Sequence, residues 1–338
     1  MTSSTSSSDS VEPRWGRIWA VAIIIVLIVT GAWELLARNA GIGPALVDNK
    51  TLWADTRHQL NQHGEEAIVL IGGSRIQRGV DVEMMSVRFD RPVFQLSIEG
   101  SSFLPVLEDL AVDPRVTGTV LISITPALIL NRKLTQLDNG RQALYVANYR
   151  RQSLARRLEQ KFTLFLQERL ALRAPHAQPS MVFTELVETG ALPKPHYKSL
   201  SRNRVALTDL DVLSAPQSAA HMVAVYRQHV APYSDEEFVP IVNYVSMLIG
   251  MLRQKGVDVY FVRLPSAGAV RAYEENLFPR DQFWGVLESN VDATFIHYQD
   301  HPELTGYLSR DGSHVDAVRI GEFTTRLNDV LAQTQFGD

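Results

Sequence analysis

Apolar residues run without a charge from Ile18 to Trp33. With the flanking Trp15 and Leu36 the stretch reaches about the 20 residues that a hydrocarbon core demands. Trp15, Trp19 and Trp33 lie towards its ends, where interfacial anchors sit, and Arg14 and Arg17 precede it. A core helix would be less uniformly apolar. A cleaved leader needs small residues at its cleavage site, and Ala37-Arg38-Asn39-Ala40 supplies them poorly. The pattern therefore predicts a retained transmembrane helix over 14–37. The positive-inside rule puts the N-terminus in the cytoplasm and the rest of the chain outside.

Further on, the pattern changes from one long run to several short ones. Ala67–Ile71, Val93–Ile98, Thr119–Ile124 and Val257–Val262 are nearly continuous apolar runs of strand length, as expected for strands buried on both faces. A shorter strand is expected over Thr294–Tyr298. Helical segments are expected over Thr51–Gln62, Pro105–Leu110, Phe238–Lys255, where Lys255-Gly256 is a stop, and Ala317–Leu331. Alternating strands and helices predict an α/β fold with a parallel sheet covered on both sides, a three-layer α/β/α arrangement of flavodoxin-like type.

The expected organisation is a disordered Ser/Thr-rich tail over 1–13, the membrane helix over 14–37, a connector over 38–66 and an α/β domain over 67–332. Residues 131–235 break the alternation and read as a mainly helical insertion, either a cap or a partner surface. The insertion holds a basic, helix-prone stretch, Tyr149–Arg173, and then a loop-rich part over 174–216. Its basic face suits an anionic polymer or lipid headgroups, or is simply a solvated helix face with Glu159 and Glu168 nearby.

Composition narrows the chemistry. The 338 residues carry 45% hydrophobic and 21% charged side chains, which excludes wholesale disorder. A net charge of −4 gives no bulk electrostatic case for nucleic acid. The absence of cysteine excludes disulfides, thiolate metal sites and cysteine nucleophiles. His297 and His301 flank Asp300 without a third ligand at convincing spacing, so neither a metal nor any other cofactor is assigned.

Ile71-Gly72-Gly73-Ser74-Arg75 follows the first buried run directly, placing a serine at the C-terminal edge of a parallel sheet, where ligands of open α/β folds bind. A serine hydroxyl needs a base within hydrogen-bond reach. The candidate base lies in Arg310-Asp311-Gly312-Ser313-His314-Val315-Asp316, where Asp311 can orient the His314 imidazole while the other ring nitrogen faces the serine. Asp316 is a less favourable orienting acid because it follows the histidine. Arg75 and Arg263, both at the same sheet edge, are candidate substrate contacts or structural ion-pair partners. Phe278, Phe283 and Trp284 suit a core position better than a sugar platform.

Ile71–Ser74, Gln95–Ser102 and Asp311–His314, in this order, resemble the first, second and last sequence blocks of the SGNH (GDSL-type) hydrolases, over about 67–126 and 257–331. The resemblance implies Ser74 as nucleophile, Asp311 as orienting acid, His314 as general base, and backbone N–H groups of Ser74 and Gly100 as oxyanion donors. The first block reads Gly-Gly-Ser where many members have Gly-Asp-Ser. The third block, often Gly-x-Asn-Asp, is missing: the strand ends in Ser123-Ile124-Thr125-Pro126-Ala127, and Asn131 is out of register. With its N-terminal anchor the chain is similar to bacterial inner-membrane proteins of cell-envelope polymer modification, such as those of alginate O-acetylation and teichoic-acid D-alanylation. That likeness implies a periplasmic or extracellular domain, a polysaccharide or acyl-ester substrate and a multi-spanning acyltransferase partner. It equally accommodates a non-catalytic scaffold that binds polymer.

Overall fold

A computed structural model describes residues 14–129, 140–191, 198–208, 219–230, 234–334 and 336. In chain order its elements are α1 (Trp15–Asn39), α2 (Lys50–Leu60), β1 (Ile68–Ile71), α3 (Ser74–Gly79), α4 (Val82–Phe89), β2 (Val93–Gln95), α5 (Leu104–Val112), β3 (Thr119–Ser123), α6 (Pro126–Ile129), α7 (Arg141–Arg150) and α8 (Leu154–Arg169). There follow α9 (Pro179–Thr189), β4 (Lys198–Leu200), β5 (Ala206–Thr208), α10 (Ala219–His229), α11 (Asp235–Arg253), β6 (Asp258–Arg263), α12 (Gly268–Leu277), α13 (Arg280–Asn290), β7 (Thr294–His297) and α14 (Ile320–Ala332). The chain divides into an anchor unit, Met1–Ala45 with Leu166–Pro195, and a sheet unit, Leu46–Phe165 with His196–Asp338.

In the sheet unit the apolar runs pair as a five-stranded parallel sheet in the order β2-β1-β3-β6-β7. Strand order reverses between β1 and β3, so the chain leaves the C-terminal ends of these neighbours towards opposite faces and opens a crevice there. Successive strand residues feed two separate cores. Val69, Ile71, Val120, Ile122, Val259 and Phe261 pack with residues of α2, α5, α11 and α13. Ile68, Leu70, Leu121, Tyr260 and Val262 pack on the other face with residues of α4 and α14. Burial on both faces explains why the runs are continuous rather than alternating.

One expectation is met and two are refined here. The helix expected over Thr51–Gln62 within the connector is α2, whose Trp53 and Leu60 are core residues and whose Arg57 is fully buried between Asp109 and Asp113. The insertion expected over 131–235 is not one separate body: α7 gives Val146 and Tyr149 to the sheet core, whereas Leu166–Pro195 belongs to the anchor unit. The β2 run is shorter than Val93–Ile98, although the Leu96 and Ile98 N–H groups still donate to the Leu70 and Gly72 carbonyls, at 2.8 and 3.1 Å.

In the anchor unit α1 is long and apolar enough to cross a membrane, and its surface is almost wholly exposed. At its C-terminal end Trp33 Nε1 donates to the Ala177 carbonyl (2.7 Å), and Glu34 accepts from the Ala171 and Leu172 N–H groups. Arg38 pairs with Glu34 and donates to the Arg169 carbonyl (2.9 Å).

Candidate functional site

Where β1 meets α3 there is no room for side chains. Gly72 has φ +147°, and a Cβ there would stand 2.7 Å from the Ser123 carbonyl oxygen. A Cβ on Gly73 would stand 2.6 Å from Leu128 Cδ1. The two glycines let the chain turn against the end of β3 and deliver Ser74, which is partly exposed, as the first residue of α3.

Asp311 and His314 sit at the tip of a tight hairpin closed by the antiparallel bridge between Leu308 and Val315. Asp311 Oδ1 accepts from the Ser309 hydroxyl (2.9 Å) and from the Ser313 and His314 N–H groups (2.8 and 3.0 Å). The carboxylate thus folds the turn that carries it, an Asx-type arrangement. Its other oxygen, Oδ2, lies 2.7 Å from His314 Nδ1. An ionised carboxylate only accepts, so that ring nitrogen carries the proton. The second ring nitrogen, Nε2, then accepts from the Ser74 hydroxyl at 2.8 Å. Three side chains drawn from two ends of the domain form one continuous chain of hydrogen bonds. Asp316, the other carboxylate in the segment, caps the turn at 317–319 through the Val318 N–H instead.

The electrostatics favour a neutral imidazole beside an ionised acid. Burial is the largest influence on His314 and pushes its pKa down; the bond to Asp311 opposes this, and the charge of Arg78 adds to it. Burial alone would raise the pKa of Asp311, but His314 and the two N–H groups hold the carboxyl well below the usual carboxylate range. A base must be unprotonated to take a proton, and His314 keeps its neutral form to a lower pH than the ordinary histidine value of 6.5. The acid limb of a kcat/KM profile for an activated ester is therefore expected below pH 6.5, and Arg78→Gln should move it up. A wild-type limb at or above 6.5, in rates measured from pH 4 to 9, would contradict this.

The loop after β2 adjoins the serine. Gly100 takes a left-handed conformation (φ +64°), and the Ser101 carbonyl oxygen lies 3.6 Å from a Cβ placed at Gly73. The fully buried Arg204, between β4 and β5, braces this loop. It donates to the Gln95 carbonyl (2.5 Å), the Ser97 carbonyl (2.8 Å) and Asp48 (2.7 Å). On the loop's other side the Glu99 carboxylate pairs with Arg78. Thr125, close to where the resemblance expects an asparagine, buries its hydroxyl without a hydrogen-bond partner among the described residues. Asn131 lies outside the described residues.

Arg75 and Arg263 converge on a single buried carboxylate, Glu274. Arg75 Nη2 lies 2.6 Å from Oε1 and Arg263 Nη2 lies 2.6 Å from Oε2. Arg75 also donates to the Ser313 hydroxyl at 3.2 Å, linking the helix that begins at Ser74 to the hairpin that carries His314. Burial works against the Glu274 charge, but the two guanidiniums prevail and hold its pKa at about 2. Phe278, Phe283 and Trp284 are core residues. His297 packs against Trp284 and Tyr298, and burial followed by the Arg263 charge lowers its pKa to about 3. Among the described residues no group of three or more His, Cys, Asp or Glu could hold a metal ion.

Sequence patterning brings forward Ser74, Asp311 and His314 but misses Arg78, Glu99, Arg204 and Glu274. The last is one acid among the polar residues of α12, and nothing local marks its partners. No family model matches the chain, and no curated protein matches it at a significant level.

Proposed function

We propose that this chain is a membrane-anchored serine esterase or O-acyltransferase of the SGNH type, acting outside the cytoplasm on a cell-envelope polymer or exopolysaccharide. The observation that carries the reading is the hydrogen-bonded series Ser74–His314–Asp311 at the C-terminal edge of a parallel sheet. The parallel order β2-β1-β3-β6-β7, which is 2-1-3-4-5 when only the strands of this sheet are counted, with helices on both faces, supports flavodoxin-like layering. The apolar α1 behind two arginines supports a single-pass, N-in anchor in a bacterial inner membrane.

In the proposed mechanism Ser74 Oγ attacks the acyl carbon while His314 Nε2 takes its proton. Backbone N–H groups of Ser74 and Gly100 stabilise the oxyanion, and Asp311 stabilises the imidazolium. Collapse breaks the acyl–oxygen bond, and His314 returns the proton to the leaving alkoxide, leaving an acyl-Ser74. Water or a sugar hydroxyl then attacks, with His314 as base, giving a free acid or a new ester. Where many SGNH members carry an aspartate this chain has Gly73, and a Cβ there would meet the tip of the Leu128 side chain at 2.6 Å. A multi-spanning acyltransferase would supply acyl groups to such a site.

One feature favours a second reading, a non-catalytic polymer-binding scaffold: β3 ends without the asparagine that gives many members a third oxyanion donor. A single experiment separates the two. The full chain, in detergent, is treated with a fluorophosphonate, and the adduct is mapped by peptide mass spectrometry. In parallel, acetylated and unmodified polysaccharides are offered and acetate release or transfer is measured. A stable adduct on Ser74 together with acyl turnover is expected. No adduct and no turnover would leave the scaffold.

A further inference from the structure

Helix α8 is built inside out. Its inward positions are polar: Gln160 (4% exposed) and Gln167 (8%) flank one buried Leu164. Its outward positions are large and apolar: Leu154, Leu158 and Phe162 are 70%, 61% and 62% exposed, at i, i+4 and i+8, and Phe165 continues the stripe. An amphipathic surface helix normally does the reverse. Arg157 and Lys161 line one edge of the stripe, each three residues from one of its leucines and so on a neighbouring row. Residues 141–173 carry eight Arg or Lys and two Glu, in a chain of net charge −4. An apolar stripe edged by long cations is the pattern of a helix lying in the headgroup region of an anionic bilayer, where the cations snorkel to the phosphates.

Helix α8 runs on without a break from the sheet unit into the anchor unit. Shortly after Phe165, the Arg169 carbonyl accepts from Arg38, and the Ala171 and Leu172 N–H groups bind Glu34, at the C-terminal end of α1. Beyond the Trp33–Ala177 bond comes α9, which buries no residue and also exposes large apolar side chains, Phe183, Leu186 and Val187. We propose that the outward faces of α8 and α9 rest in the outer leaflet of the membrane that α1 crosses, with anionic headgroups on Arg157 and Lys161. This rests on the anchor part of the proposed function and not on its chemistry.

The absence of cysteine makes a direct test clean. Full-length Phe162→Cys, Leu158→Cys and Phe183→Cys, each carrying an environment-sensitive fluorophore, are reconstituted in vesicles of phosphatidylcholine and phosphatidylglycerol, with and without brominated acyl chains. Ile25→Cys reports insertion of α1, and Val318→Cys, 87% exposed, reports water. Brominated lipid is expected to quench the labels at 158, 162, 183 and 25 by about twofold or more, and to leave that at 318 unchanged. Labels at 158 and 162 that behave like 318 while 25 is quenched would overturn the proposal and leave the anchor intact. A dry but unquenched label at 162 would mean a protein contact, and would also overturn it. If 25 is unquenched as well, the anchor fails and the proposal with it. Fluorophosphonate labelling of Ser74 is read separately and is independent of these outcomes.

Discussion

Alanine at position 74 should end covalent labelling by fluorophosphonates and lower kcat/KM for an activated ester by about 10⁴-fold or more. The hydroxyl is the only atom of Ser74 in the hydrogen-bonded series, so the fold has little reason to respond. His314→Ala should cost a similar factor, and the double variant no more than either single one, because the residues act as a unit. Asp311→Asn is the sharper probe. An amide can still accept at the position of Oδ1 and keep the hairpin turn, but it presents an N–H₂ towards His314 Nδ1. The ring must then carry its proton on Nε2, where it can no longer accept from Ser74. A loss of about 10⁴-fold with unchanged thermal stability is the expected signature. Retained labelling in Ser74→Ala would remove this serine from the chemistry.

The largest effect on stability is expected at Glu274. Its carboxylate is the counter-ion of two buried guanidiniums, Arg75 and Arg263. Removing it by Glu274→Ala leaves two cations facing each other away from water, a change of about 3–5 kcal/mol by analogy with other broken buried pairs. Glu274→Gln retains hydrogen bonding and should lose less. The pH dependence has a definite sign. The folded-state pKa of about 2 lies below the ordinary value of 4.5, so the unfolded chain binds a proton first as pH falls. The stabilisation is therefore complete above about pH 4.5 and is lost as pH drops towards 2. Urea unfolding of wild type and Glu274→Gln at pH 7 and pH 3 measures this. The gap between them should narrow at the lower pH, and a constant gap would contradict the role given to the charge.

Much of this molecule is written locally, and some of it is not. The parallel sheet is legible because each central strand is buried on both faces and must be apolar throughout. Ser74 is legible because it follows such a strand after two glycines, and Asp311 and His314 because they share one turn. β2 ends early because Gln95 turns its side chain back on the loop, accepting from the Ser97 N–H. Helix α2 is legible as a helix but not as part of the core, because its sequence is mostly polar, and its Arg57 is buried against two aspartates that lie beyond β2 in the chain. Glu274 is the extreme case: it is separated from Arg75 by 199 residues, and no periodicity reports a pairing of that span.

The hairpin that holds Asp311 and His314 also bears on how the site assembles. The acid and the base are three residues apart, whereas the base and the serine are 240 apart. The first pairing needs almost no loop closure and can form as soon as the turn does; the second carries nearly the whole entropic cost. Assembly of the relay thus reduces to one docking event, in which a preformed tip meets the sheet edge. A fluctuation that lifts the tip would remove base and acid together, so the relay is lost and regained as a whole.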